Sequence, residues 1–302
     1  MMSEVIRGEA FAKTNLSLRV SGRRPDGYHE LDTVFQTIDL ADEIEVRLSE
    51  EISLECDDPA IPLGEENLVI RAARNLSETL GAGRGARIVL KKRIPPGGGL
   101  GGGSSDAALT LMLLSRLWKL APTEKELARM AAGIGSDVPF FLLGGTARGT
   151  GRGEMLTPLP DRPPTRIVVI VPPFAISTAG VYREFRAGSE GDTESFEANR
   201  GLGKSEERLF GANHLAQAVI RVKPEMARYV ETLSGILADC QISGSGSSLV
   251  AALSGDEEEV FADLEAALPE ARVLRARTVS RPEWRRRTGA ALVNFKQEVG
   301  QP

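Results

Sequence analysis

The chain has 302 residues, 41% of them hydrophobic and 26% charged, enough for two domains and for a core that needs no staples. Its 37 basic and 42 acidic residues give a net charge of −5, which excludes a generally basic nucleic-acid-binding surface; positive potential for an anionic ligand must be gathered locally. Two cysteines, Cys56 and Cys240, offer neither a disulfide framework nor a metal-ligand spacing, and no apolar run approaches the ~18 residues of a membrane span, so a cytoplasmic protein with no membrane partner is expected.

Met1–Ala10, with Glu4, Arg7 and Glu9, does not read as a signal peptide. Val34–Leu40 predicts a strand with partial alternation, and Ile44–Leu48 and Ile52–Cys56 predict a hairpin pair. Leu68, Ala72, Leu76 and Leu80 give Asn67–Leu80 a helical period. Arg87–Leu90 predicts a short buried strand, ended by Pro95-Pro96. Six glycines around Leu100 follow, then Ser104-Ser105-Asp106 and a helical run through Trp118 that the two serines are expected to cap. Thr123-Glu124-Lys125-Glu126 is a capping box opening a second helix, with Leu127, Met130 and Ile134 on one face.

Pro158, Pro160, Pro163 and Pro164 cluster before a strong strand, Ile167–Val171, and predict a domain boundary there, dividing the chain into 1–160 and 161–302. The second half alternates expected helices (Leu209–Val222, Pro224–Leu233, Glu257–Leu268) with short strands near Leu249–Leu253 and Val273–Ala276. Arg186–Arg208 is polar and rich in Gly, Glu and Ser, and predicts a mobile loop. The tail after Arg281, with Arg285, Arg286 and Arg287, reads as a solvated basic end.

Gly97–Gly103 carries the strongest chemical signal. Glycine loses the most backbone entropy on folding, so six in a folded region imply a demand only glycine meets. Close approach of backbone N–H groups to phosphate oxygens, ahead of a helix N-terminus, is such a demand. A flexible linker is the plain alternative, but linkers are not followed at once by an apolar helix. Gly97, Gly99 and Gly102 satisfy G-x-G-x-x-G, yet no second strand with an acidic end follows about 20 residues on, as a Rossmann turn requires. A Walker A loop needs a lysine directly after the glycines, and a protein kinase needs His-Arg-Asp and Asp-Phe-Gly; the chain has neither.

The run Pro95-Pro96-Gly97-Gly98-Gly99-Leu100-Gly101-Gly102-Gly103-Ser104-Ser105 resembles the second motif of the GHMP kinases, in the doubled-glycine form of their diphosphocytidyl-methylerythritol kinase branch. Ala12-Lys13-Thr14-Asn15-Leu16 is similar to that family's N-terminal motif, and Arg24-Pro25-Asp26-Gly27-Tyr28-His29-Glu30-Leu31 to its substrate loop. Gly135-Ser136-Asp137-Val138-Pro139-Phe140-Phe141 resembles its aspartate segment, and Ile242-Ser243-Gly244-Ser245-Gly246-Ser247-Ser248 its third motif. The likeness runs from about residue 10 to residue 278.

This resemblance implies an α+β, two-domain fold: an N-terminal α+β domain with the glycine-rich phosphate loop, and a C-terminal ferredoxin-like α/β domain. It implies ATP and accompanying Mg²⁺, no protein metal site, and one small-molecule partner, 4-diphosphocytidyl-2-C-methyl-D-erythritol, phosphorylated on its 2-hydroxyl by a monomer or weak homodimer. Taken alone, Asp137 reads as a helix N-cap and Lys13 as a surface charge; the resemblance makes them general base and its charged partner. Alone, His29 reads as a structural histidine and Tyr182 as helix packing; the resemblance assigns Asn15, Tyr28, His29, Thr178 and Tyr182 to the substrate, with Tyr28 and Tyr182 stacking on the pyrimidine and His29 at its edge. Another GHMP kinase, acting on homoserine or mevalonate, and a catalytically silent nucleotide-binding protein are the rival readings. The chain departs from the family where Asn213-His214-Leu215-Ala216 replaces Asn-Asp-Leu-Glu, and no role for that segment follows.

Overall fold

The computed structural model describes residues 4–80, 83–185 and 208–289. The first sheet is built on two long antiparallel strands, β1 (Val5–Arg23) and β2 (His29–Ser49). With β3 (Ser53–Cys56), β4 (Gly85–Lys91), β5 (Thr146–Gly151) and β6 (Met155–Pro158) they form a sheet of order β3-β4-β2-β5-β6, β1 pairing with β2. The expected hairpin of Ile44–Leu48 with Ile52–Cys56 does not form. β4 pairs antiparallel with β2 and parallel with β3, and so lies between them. Two neighbouring apolar runs cannot reveal a strand inserted from thirty residues downstream.

The helices α1 (Leu68–Thr79), α2 (Gly102–Leu117), α3 (Glu124–Ile134) and α4 (Phe140–Leu143) cover this sheet. The Asn67 side chain accepts from Val69 N at 2.9 Å to start α1, and the Thr123/Glu126 capping box starts α3 as its sequence predicts. The serines do not cap α2. That helix begins on Gly101 in a left-handed conformation (φ 73°), so Ser104 and Ser105 lie inside its first turn.

A second sheet of order β10-β7-β9-β8 is formed by β7 (Arg166–Val171), β8 (Cys240–Ile242), β9 (Leu249–Ala252) and β10 (Arg272–Arg277), all neighbours antiparallel. Helices α5 (Thr178–Glu184), α6 (Ala216–Val222), α7 (Met226–Ile236) and α8 (Glu257–Ala267) supply its core. This strand order, with helices between first and second and between third and fourth strands, is the ferredoxin-like arrangement. Val168 and Ile170 face that core, whereas Ile167, Val169 and Val171 face a third cluster shared with Ala12, Leu16, Ile38, Ile94 and Leu100. Both faces of β7 are covered, which explains its unbroken apolar run.

Two further expectations are corrected. Helix α6 starts at Ala216 rather than Leu209, because residues 208–215 are used as an extended rib. Leu209 N and Phe210 N donate to the Asp239 carboxylate, Gly211 N to Leu16 O, and His214 N to Leu18 O. The tail is not solvated where it is described: α9 (Arg281–Thr288) buries Trp284 against the first core, and Arg287 pairs with Glu9 at 2.7 Å. The predicted mobile loop after Arg186 falls almost wholly outside the described residues. Among the described residues, no helix is long and apolar enough to cross a membrane.

Candidate active site

Alternation along β1 sends Lys13 and Asn15 to the same face, and both are buried. Lys13 Nζ donates to Asn15 Oδ1 at 2.8 Å, and Asn15 Nδ2 donates to Thr33 Oγ1 at 2.7 Å across to β2. The Thr33 hydroxyl in turn donates to Ser17 O at 2.7 Å, beside the bulge where the β1–β2 register slips between Asn15 and Ser17. The ammonium is thus held through two polar side chains and a backbone carbonyl, not left on the surface. It stands 3.7 Å from Asp137 Oδ2.

Asp137 occupies the turn between α3 and α4. Val138 N donates to Gly135 O and Phe140 N to Asp137 O, while Val138, Phe140 and Phe141 sink into the core. The apolar flanks hold the turn down and leave the carboxylate raised, its side chain 36% exposed. It is not the cap of α4, which follows Pro139.

The glycine loop crosses above this pair. Lys13 N donates to Leu100 O at 2.9 Å, Ser248 N to Gly98 O at 3.1 Å and the Ser243 hydroxyl to Gly99 O at 3.1 Å. Its carbonyls are therefore tied back to β1 and to the loop between β8 and β9. At two positions glycine is obligatory. A Cβ on Gly99 (φ 73°) would lie 2.3 Å from Ser243 O, and one on Gly101 (φ 73°) would lie 2.7 Å from the Phe141 ring.

At the other end, aromatic side chains from both halves of the chain meet. The His29 imidazole stacks on Tyr182 of α5, centroids 5.2 Å apart and planes at 28°, and receives the edge of Phe185 at 5.9 Å. Burial and the charge of Arg23 lower the His29 pKa, so the ring is neutral at pH 7. Burial and the Asp137 carboxylate push the Tyr182 phenol up. Tyr28 is exposed, with the Arg152 guanidinium 4.9 Å above its ring. The Thr178 and Ser245 hydroxyls are 2.9 Å apart and link α5 to the β8–β9 loop.

A cleft of about 1020 Å³ joins the two ends. Lys13, Asn15, Tyr28, His29, Asp137, Thr178, Tyr182 and the run Pro95–Ser104 all line it. Ser105 does not; it is buried in α2. Sequence reasoning missed Arg152, Phe185 and Gly244 among the lining residues. Arg152 is a basic residue between two glycines at the β5–β6 turn, which is a usable if weak signal. Among the described residues no cluster of His, Cys, Asp and Glu could hold a metal ion. The cleft offers one hydroxyl at the start of α2, Ser104, and one half-exposed carboxylate, Asp137.

Known proteins resemble this chain in sequence and in fold. Residues 67–145 match the family model "GHMP kinases N terminal domain". The chain is 43% identical over 258 residues to 4-diphosphocytidyl-2-C-methyl-D-erythritol kinase of Geobacillus kaustophilus, covering 82% of this chain and 88% of that relative. A crystal structure of 4-(cytidine 5′-diphospho)-2C-methyl-D-erythritol kinase superposes with a TM-score of 0.74 at 37% identity, over 90% of this chain and 99% of that one. Homoserine kinase from Cytophaga hutchinsonii superposes with a TM-score of 0.71 over 93% and 96% of the two chains, but at 19% identity this likeness is one of fold alone.

Proposed function

The chain belongs to the 4-diphosphocytidyl-2-C-methyl-D-erythritol kinase family of the GHMP kinases, and from that premise we propose how its cleft phosphorylates the 2-hydroxyl of the cytidyl alcohol, a step of the non-mevalonate isoprenoid pathway. The observation that carries the reading is the Lys13–Asp137 pair, 3.7 Å apart, in the cleft between the glycine loop and the His29–Tyr182 wall.

Phosphoryl transfer needs an oriented alcohol, an acceptor for its proton, and compensation of charge on the transferred group. The exposed oxygen of Asp137 accepts the proton of the substrate hydroxyl. Lys13, fixed through Asn15 and Thr33, donates to that hydroxyl oxygen and balances the charge of Asp137. The loop of Pro95–Gly103, its carbonyls tied back, offers backbone amides to the ATP phosphates at the positive end of α2. Mg²⁺ would arrive with the nucleotide, where the Ser104 hydroxyl at the start of α2 could help to hold it, and would supply charge neutralisation.

Tyr182 and Tyr28 supply faces for the pyrimidine, and a neutral His29 can pair with its edge. The two domains meet near residue 160, with 279–288 returning to the N-terminal body. In this reading the kinase acts as a monomer or weak homodimer. The cytoplasm fits the two free cysteines, Cys56 and Cys240.

An ADP-release assay tests the reading. ADP should form with ATP and the full cytidyl alcohol, and scarcely at all when the alcohol is replaced by methylerythritol phosphate lacking cytidine. Equal turnover of that truncated alcohol would overturn the cytidyl assignment and leave only the general kinase. Gly103→Val adds a second check, because a Cβ there has open space toward Leu68 at 3.8 Å and the variant can fold. Its ATP affinity should fall; an unchanged affinity would refute the phosphate-loop reading.

A further inference from the structure

Asn213 lies in the segment that departs from its family, and it touches neither end of the cleft. Its side chain is nonetheless fully used. Asn213 Nδ2 donates to Ile242 O at 2.9 Å and to Gly244 O at 2.7 Å, and Asn213 Oδ1 accepts from Leu215 N at 2.9 Å. The backbone on either side is sewn to β1: Leu18 N donates to Ala212 O at 2.9 Å, Gly211 N to Leu16 O at 2.7 Å, and His214 N to Leu18 O at 2.9 Å. Asn213 therefore joins β1, which carries Lys13 and Asn15, to the loop that begins at Ser243.

That loop passes close beside the lysine. Gly244 is in the left-handed region (φ 58°), and a Cβ there would stand 3.2 Å from Asn15 Oδ1 and 3.4 Å from Lys13 Nζ. A second strap runs in the same direction, Gln241 Nε2 donating to Asn15 O. The Lys13 ammonium donates to Asn15 and lies 5.6 Å from the Phe35 ring centroid and 3.7 Å from Asp137, with Gly244 on its flank. We infer that Asn213 is a positioning residue for Lys13: by fixing the Gly244 carbonyl it holds the backbone wall that aims the ammonium at Asp137 and the substrate hydroxyl. This rests on the reading of Lys13 above.

The chemistry of the amide makes the inference testable. Asn213→Asp keeps shape and acceptor but replaces two N–H donors with a carboxylate oxygen facing two carbonyls, so the Gly244 wall must retreat. In steady-state ADP release by the full chain, kcat should fall about tenfold or more, since small misplacements near reacting groups cost that much, while KM for ATP and for the cytidyl alcohol stay within about twofold. Asn15→Ala should also lower kcat. Because both act through the same ammonium, the double variant should be no worse than about threefold below the worse single variant. Should Asn213→Asp fail to fold by circular dichroism, Asn213→Ser is read in the same way, with a kcat loss of about threefold or more.

A kcat within twofold of wild type in the folded variant overturns the inference, and so does a double variant whose loss is the product of the single losses. A melting temperature that falls with kcat unchanged marks a purely structural asparagine, and overturns it too. Lys13→Ala is run alongside. If that variant is as active as wild type, the lysine reading itself fails; if it is inactive while Asn213→Asp is unimpaired, only the present inference fails.

Discussion

Among the described residues there are two lysine–aspartate constellations, and they are built to opposite ends. Lys13 meets Asp137 at 3.7 Å with the carboxylate side chain 36% exposed. Lys92 is closed in between Asp42 and Asp106, the latter at 2.9 Å, with all three side chains buried. Asp42 is further satisfied by Arg93 N at 2.5 Å and Ile94 N at 2.8 Å, which ties the strand end after β4 to β2. Asp106, the fifth residue of α2, brings that helix to the same lysine. The open pair keeps a solvent-exposed oxygen for a substrate proton; the closed one joins three elements, and its one unpartnered oxygen, Asp106 Oδ1, is buried out of reach. A carboxylate beside a lysine is thus a candidate base only where geometry leaves it unfinished.

Removing Lys92 should give the largest effect. Lys92→Met leaves two buried carboxylates sharing no counter-charge, and should destabilise the fold by about 3–5 kcal/mol in urea denaturation. A loss below 1 kcal/mol would show that the triad is solvated and that the contrast is false. Asp137→Asn should do the reverse, lowering kcat by at least about 10²-fold, the lower end for a lost general base, while stability and both KM values hardly change. Near-normal turnover would remove Asp137 from its role. Tyr182→Ala, in the wall facing that carboxylate, should raise KM for the cytidyl alcohol roughly tenfold, as expected for a lost stacking face, with KM for ATP unaltered. Equal changes in both constants would mean that the tyrosine supports the whole cleft.

The smallest effect sharpens the comparison most. Burial pushes the Asp106 carboxyl well up, with Asp42 adding to the rise and Lys92 opposing it. A carboxyl whose folded pKa is raised binds its proton more tightly when folded. Its stabilising contribution is therefore complete below the ordinary carboxylate range and is lost as pH rises through the folded value. Asp106→Asn does not titrate, so its stability should improve relative to wild type as pH is raised above the ordinary carboxylate range. If instead the variant loses ground with rising pH, Asp106 is an ionised partner of Lys92 and the closed constellation is a full ion triad.

Elements whose caps and period agree were legible in the sequence. Asn67 and Thr123 announce α1 and α3, and the proline cluster announces β7. Of the β1–β2 pair, β2 was legible at Val34–Leu40 and Ile44–Leu48 but β1 was not, because Lys13, Thr14 and Asn15 interrupt its apolar alternation and are nevertheless buried by the neighbours that use them. Helix α9 was hidden for a related reason: three arginines surround the one residue, Trp284, that anchors it. In the candidate site, the glycine run, Lys13, Asp137, His29 and Tyr182 were reached through motifs and converge on one cleft. Arg152, Phe185 and Asn213 belong to no periodic pattern, and their partners lie far away in sequence, so only the folded chain brings out what they touch.

The return of the chain to its first core has a consequence for synthesis. Val279 and Trp284 are core residues of the first body, and the backbone at Gly144 fits so closely under the Trp284 ring that a Cβ there would lie 2.2 Å from it. Arg287 closes on Glu9 across 278 positions of sequence. At ribosomal rates of about 5–20 residues per second, the N-terminal body waits on the order of ten seconds after Pro158 for the segment that completes it. During that interval its sheet has an open apolar wall. A nascent chain at that stage exposes apolar surface of the kind chaperones bind, and a ribosome stalled after the proline cluster would hold a half whose core lacks Val279 and Trp284.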